Sequence, residues 1–199
     1  MTHFNQKSSF GFIANGRRFL SCSIFTLLEI LAVRIRLFDS LLSRWREPII
    51  NSEIQMLQID SSNRVLHLGC GAFPSAAIAI ATKKKTYVVG IDNNSIAVKL
   101  ARICIKKKGL SSLVTVEYGD GVSYQFSDFD VIYIAINVWP IDRVLLHLAQ
   151  TMKPTAQILC KGTHNDIASL LKEKEFDSLF SIHQTLDYPK MQSFLLRRK

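Results

Sequence analysis

An α/β fold, a doubly wound parallel sheet with helices on both faces, is what these 199 residues predict, and three observations carry the prediction. From Arg64 onward, short apolar runs of strand type alternate with longer runs of helical period. The first strand leaves through a glycine turn, Gly69-Cys70-Gly71, straight into an apolar helix. An acid, Asp92, ends the next strand, about 20 residues after that turn.

Residues 1–16 mix polar residues and glycine with no sustained period, and a loose lead-in is expected. Phe19 to Val33 is strongly apolar apart from Glu29, and Leu27, Leu28, Leu31, Ile35, Phe38, Leu42 and Trp45 recur at helical spacing, which predicts one long helix or two. Arg17-Arg18 ahead of an apolar run imitates the start of an export signal. The uninterrupted run is too short to span a bilayer, ends in Arg34 and Arg36, and lacks a small-residue cleavage pattern. A helical cap packed on the main domain is the expectation, with a membrane-surface helix and a spanning or exported segment as the alternatives. The division expected is therefore 1–58 as helical extension and 59–199 as the main domain.

Glu47-Pro48 breaks the pattern, so Ile49 to Leu57 is expected as a separate short helix, and its acid is Glu53. Val65 to Leu68 is the first buried strand. Glycine suits the turn because a side chain would keep the backbone from a ligand, and because φ > 0 is available to it. The following helix, through Ile78, Ile80 and Ala81, offers free N–H groups to a polar or anionic ligand. Thr86 to Ile91 is the second strand, and Asp92 sits where a Rossmann-like site binds ribose hydroxyls. Pro74 stands where the dinucleotide fingerprint has its third glycine, which disfavours NAD and favours another adenosine ligand.

Ser95 to Lys108 is a helix closed by Gly109, with Lys106-Lys107-Lys108 in the last turn where cations suit the helix dipole. Val114 to Tyr118 is the third strand and leads to Asp120-Gly121. Val131 to Ile136 is the fourth, leaving through Asn137-Val138-Trp139-Pro140. Ile141 to Met152 is a helix stopped at Lys153-Pro154, and Ala156 to Lys161 is the fifth strand, followed by the loop Gly162 to Asp166. Phe180 to Tyr188 and Met191 to Arg198 read as two further strands turning near Pro189.

The 25 Lys+Arg against 16 Asp+Glu leave a net charge of +9, which favours acidic partners without choosing among nucleic acid, anionic lipid and an anionic small molecule. Cys22, Cys70, Cys104 and Cys160 are scattered, with no C-x-x-C pair, and read as reduced thiols of a cytoplasmic protein. No metal site is expected.

As an ordered set, Gly69 and Gly71, Asp92, and Asp120 resemble the class I S-adenosylmethionine-dependent methyltransferases, over roughly residues 60 to 199. The resemblance implies that Gly69, Cys70 and Gly71 cradle the methionine part, Asp92 and Asn93 hold the ribose, and Asp120 and Gly121 meet the adenine. It also implies Ala135 and Asn137 at the end of strand four, with the acceptor beside Asn137 and Trp139, and a closing antiparallel hairpin. There is no N-P-P-Y type motif here, which counts against methylation of adenine or glutamine.

A narrower stretch, Phe129 to Tyr133, Leu148 to Pro154 and Thr163-His164-Asn165, resembles nicotianamine synthase, which moves the aminocarboxypropyl arm of the same cofactor; Gly69 to Pro74 is similar to its glycine-proline turn. That likeness implies an acid ahead of strand one, for which Glu53 is the nearest candidate; otherwise Glu53 is a solvated acid of a surface helix. The catalytic candidates are thus Glu53, Tyr133 and His164. Methyl transfer from S-adenosyl-L-methionine to a small-molecule acceptor is the expectation, and aminocarboxypropyl transfer the alternative. A non-catalytic module on a membrane or nucleic-acid surface is the reading from a different class, and the lack of interleaved aromatic and basic stripes disfavours RNA.

Overall fold

The computed structural model describes residues 36–163 and 166–199. Phe19 to Val33, Cys22, His164 and Asn165, on which several expectations fall, lie outside the described residues.

A helix, α1 (Arg36–Met56), leads into alternating strands and helices: β1 (Arg64–Leu68), α2 (Ser75–Lys84), β2 (Tyr87–Asp92), α3 (Ser95–Lys107), β3 (Val114–Tyr118), β4 (Val131–Ile134), α4 (Ile141–Thr151) and β5 (Gln157–Gly162). Two short helices, α5 (Asp166–Leu170) and α6 (Lys174–Leu179), precede the hairpin β6 (Phe180–Tyr188) and β7 (Met191–Arg198). The seven strands form one sheet in the order β3-β2-β1-β4-β5-β7-β6. β1 to β5 run parallel, and β7 enters antiparallel between β5 and β6. The Rossmann-like sheet and its antiparallel hairpin are as the sequence predicts.

Val65, Leu66, His67 and Leu68 are all buried, as a strand covered on both faces requires. One face of the sheet, with Leu66, Leu68, Ile91, Ile132, Ile134 and Ile158, packs on α4 through Val144, Leu145 and Leu148. The opposite face, with Val65, Val88, Val116, Val131, Tyr133 and Leu159, is covered by α1 through Ile50, Ile54 and Met56, by Leu57 just after it, by α2 and by α3. The second face carries the site.

Three expectations are corrected. Pro48 does not split the helix: α1 runs through it to Met56, with Ile50 and Ile54 packed on the sheet. Tertiary burial here outweighs the one backbone bond that a proline removes. β4 ends at Ile134 instead of Ile136: Ala135 N–H makes the last bond to β1, at the Leu68 carbonyl, and Val138 N–H then closes on the Ala135 carbonyl in a tight exit loop. The loop expected over Gly162 to Asp166 is shorter, since β5 takes in Gly162 and α5 begins at Asp166, packing Ile167 into the core. Among the described residues no helix is long and apolar enough to cross a membrane.

Candidate functional site

Two arrangements stand toward the carboxyl ends of the parallel strands, where open α/β sheets bind ligands. The first is the glycine turn. Gly69 and Gly71 adopt φ of +72° and +68°. A Cβ on Gly69 would stand 2.6 Å from Val138 Cγ2, so glycine is required there by both conformation and contact. Gly69 and Cys70 both donate to the Ile91 carbonyl, at 2.9 and 3.0 Å, and Cys70 is buried over Gly90. The carboxylate of Asp92 ties the turn to the tip of β2, with Oδ2 accepting from Gly71 N–H at 2.9 Å and Oδ1 from Asn94 N–H at 2.9 Å. No side chain caps the first turn of α2, which starts behind Pro74.

Asp120 Oδ1 accepts from Val122 N–H at 3.1 Å and shapes the loop after β3. Gly121 beneath it is buried, with Leu68 methyls 3.1 Å from where its Cβ would be. Asn93, Asp120 and Asn137 are exposed around this turn, and Ala135 is half-buried. The donor set fits an adenosyl ligand with a polar amino-acid end: positive-φ glycines that leave the backbone open, an uncapped helix start, and acids at the tips of β2 and β3.

The second arrangement lies under α1. Glu53 is wholly buried, with 0% of its surface exposed. Its Oε1 accepts from Ser193 Oγ of β7 at 2.6 Å and from Lys161 Nζ of β5 at 2.9 Å. Its Oε2 accepts from the Tyr133 hydroxyl of β4 and from Lys161 Nζ at 3.2 Å. Lys161 Nζ also donates to Tyr133 Oη at 3.1 Å and stands 5.4 Å from the centre of that ring. Lys161 and Ser193 are register partners across β5 and β7, which puts them on one face. His67 of β1 is the register partner of Tyr133 and meets its ring edge-on at 5.1 Å.

Burial, and then the negative charge of Glu53 and its hydrogen bond, hold the Tyr133 phenol well above its ordinary value, so it is a proton donor to the carboxylate. Burial pulls the Lys161 ammonium below its ordinary value while Glu53 opposes that pull. Burial, with Lys161 and Arg46 as neighbouring cations, pushes the His67 imidazole down to about 3, so His67 is neutral; its Nδ1 has no hydrogen-bond partner.

Of the sequence candidates, the structure brings Glu53 and Tyr133 into direct contact, and His164 lies outside the described residues. Lys161, Ser193 and His67 were not anticipated. A lysine ending the apolar run Ile158-Leu159-Cys160, and a histidine inside Val65 to Leu68, were readable as anomalies in buried strands; Ser193 carried no signal. Among the described residues no group of three or more His, Cys, Asp or Glu is placed to hold a metal ion.

Comparison with known proteins gives the family and the fold. The family model described as protein-L-isoaspartate (D-aspartate) O-methyltransferase matches residues 47–154, more than half of the chain. No curated protein matches the sequence. Among solved structures, a glutamate-to-glutamine mutant of MtNAS, a nicotianamine synthase, in complex with S-adenosylmethionine superposes with a TM-score of 0.75 at 17% identity, covering 91% of this chain and 76% of that one. An RNA methyltransferase from Salinibacter ruber in complex with S-adenosyl-L-homocysteine gives a TM-score of 0.62 at 18% identity, covering 74% and 88%. A SAM dependent methyltransferase from Aquifex aeolicus gives 0.64 at 15% identity, covering 75% and 89%. At such identities these likenesses establish the fold alone. With the family match, the turn and the strand-tip acids, the cofactor is S-adenosylmethionine, and the chain belongs to the protein-L-isoaspartate (D-aspartate) O-methyltransferase family of class I S-adenosylmethionine-dependent transferases.

Proposed function

We propose that the protein transfers an alkyl group of S-adenosylmethionine to the nitrogen of a small amine, with Glu53 as proton acceptor. The observation that carries this is the buried Glu53 carboxylate, held by Ser193, Tyr133 and Lys161 beneath α1. When bound, the cofactor supplies carbons made electrophilic by a sulfonium, and what the chain must add is alignment, exclusion of water and removal of a proton. An ammonium acceptor needs that proton removed before it can attack, and a fixed carboxylate both orients it and takes the proton. A carboxylate acceptor, the kind named by the family description, is already an anion and needs no base; a buried Glu53 beside it would repel it.

In this reading Gly69, Cys70 and Gly71 receive the methionine part, Asp92 and Asn93 the ribose, and Asp120 and Gly121 the adenine, with Ala135 and Asn137 at the rim. Tyr133 donates to Glu53 and fixes its orientation, and α1 roofs the acceptor. Transfer of the aminocarboxypropyl group is the favoured reaction: the likeness to MtNAS takes in 91% of the chain, against 74% and 75% for the two methyltransferases. Methyl transfer to a small acceptor is the second reading, supported by the family match. A cytoplasmic location, from the reduced thiols and the cofactor, belongs to the same proposal.

The test is incubation with S-adenosylmethionine carrying separate labels on the methyl and the aminocarboxypropyl carbons, against a panel of amino acids and polyamines, with products read by mass spectrometry. Aminocarboxypropyl label on nitrogen is the expected result, and methyl label on nitrogen selects the second reading. Label on a carboxyl oxygen would refute the amine assignment.

A further inference from the structure

Glu53 poses a problem for any acceptor. A carboxylate with no exposed surface cannot be reached by a ligand, and the group that closes it off is Lys161, whose side chain is 12% exposed. What Lys161 contacts there is a complete primary-ammonium site. Its Nζ reaches Glu53 Oε1 at 2.9 Å, Glu53 Oε2 at 3.2 Å and Tyr133 Oη at 3.1 Å, with the Tyr133 ring 5.4 Å away. Both carboxylate oxygens and one hydroxyl oxygen suit an alkylammonium with three N–H donors. Ser193 Oγ occupies a further position on Oε1 and locks the carboxylate from the β7 side.

We propose that this is the binding site for the primary ammonium group of the acceptor, and that Lys161 is its internal occupant, which the acceptor displaces. The proposal rests on the amine acceptor put forward above and names how that amine is held. Charge decides that the two ammonium groups exchange instead of sharing the site. Lys161 already neutralises Glu53, so a second ammonium in the same site would be a buried charge without a counterion. Exchange leaves the buried charge unchanged, and Lys161, the penultimate residue of β5, has a partly exposed stem by which to reach water. A tethered amine competes at an effective concentration in the millimolar range or above, so only an acceptor with contacts beyond its ammonium group displaces it. The device thereby excludes bare ammonium and simple amines from the reacting centre.

The test uses n-propylammonium as probe, with n-propanol and tetramethylammonium as controls, on the cofactor-free wild type, Lys161→Met and Lys161→Arg. Affinity is read by calorimetry and thermal shift. Lys161→Met keeps an apolar stem and vacates the ammonium position, so it binds n-propylammonium at least about tenfold more tightly than the wild type. Lys161→Arg binds no better than the wild type, and the controls bind neither variant. Equal affinity in Lys161→Met and the wild type, or equal binding of n-propanol, overturns the proposal. If Lys161→Met does not fold, the wild type decides: with 13C-lysine label, the Lys161 Cε resonance moves to the position of exposed lysines on saturation with at least one amino acid or polyamine of the acceptor panel, and a resonance that none of them moves overturns the proposal. Neither cofactor nor turnover enters the measurement. Binding without any labelled product therefore retires the transfer reading and leaves the ammonium site standing, while labelled product without binding does the reverse.

Discussion

Acidification isolates His67. The folded imidazole is held at about 3 by burial and by the Lys161 and Arg46 charges, against 6.5 for an unperturbed histidine. The unfolded chain therefore binds one more proton than the folded chain between those two values, and stability rises with pH across that window and is lost as pH falls through it. From pH 6.5 down to about pH 5 is one and a half units at 1.36 kcal/mol each, so this one group removes about 2 kcal/mol. For a chain of this length that lowers the melting temperature by about 4–8 °C. Asp60 and Asp130, whose carboxyls are held below 3.8, act in the same direction but only below their unfolded values, so the interval above about pH 5 is not theirs. The perturbation is His67→Phe, which keeps an aromatic ring against Tyr133 and removes both the titrating group and the unpartnered Nδ1. Urea unfolding at several pH values between 5 and 7.5 is the assay. The wild type is expected to lose about 2 kcal/mol across the range and the variant to lose little, with the variant the more stable at the acid end. A variant with the same slope as the wild type would refute the placement of a neutral histidine in the core of the site.

The remaining predictions concern the two halves of the site. Glu53→Gln leaves the Lys161 ammonium buried without its counterion, at a cost of about 3–5 kcal/mol, and lowers turnover by about 10²–10⁴-fold. The double variant with Lys161→Met recovers much of that stability and none of the turnover, and additive losses in urea unfolding would contradict the buried pair. Gly69→Ala puts a side chain at φ +72° and 2.6 Å from Val138. Its expected cost is about 2–5 kcal/mol, read from the urea midpoint, and a midpoint equal to the wild type would show that the turn relaxes freely. Asp92→Asn removes one of the two acceptor oxygens that hold Gly71 and Asn94. Calorimetry with S-adenosylhomocysteine is expected to show an affinity loss of about 10–100-fold, and unchanged affinity would remove Asp92 from the ligand.

The sequence by itself determined the sheet, because local patterning is enough to specify buried strands: Val65 to Leu68, apolar but for His67, and Val131 to Ile134 read as buried runs, and β6 and β7 end at the residues expected. It also marked the glycine turn after β1, since positive φ restricts Gly69 and Gly71 almost to one residue type and so leaves a readable mark. Helix α1 was legible as a helix but not as continuous, because Pro48 is a local signal that packing of Ile50 and Ile54 overrides. The chemistry under α1 was decided only by the tertiary structure. Glu53, Tyr133, Lys161 and Ser193 come from four elements up to 140 residues apart, and whether an acid on an amphipathic helix faces water or a buried lysine depends on which face the sheet covers. Burial turns those four ordinary side chains into a coupled set: in water each would be solvated separately, whereas without water each must find its partner among the others.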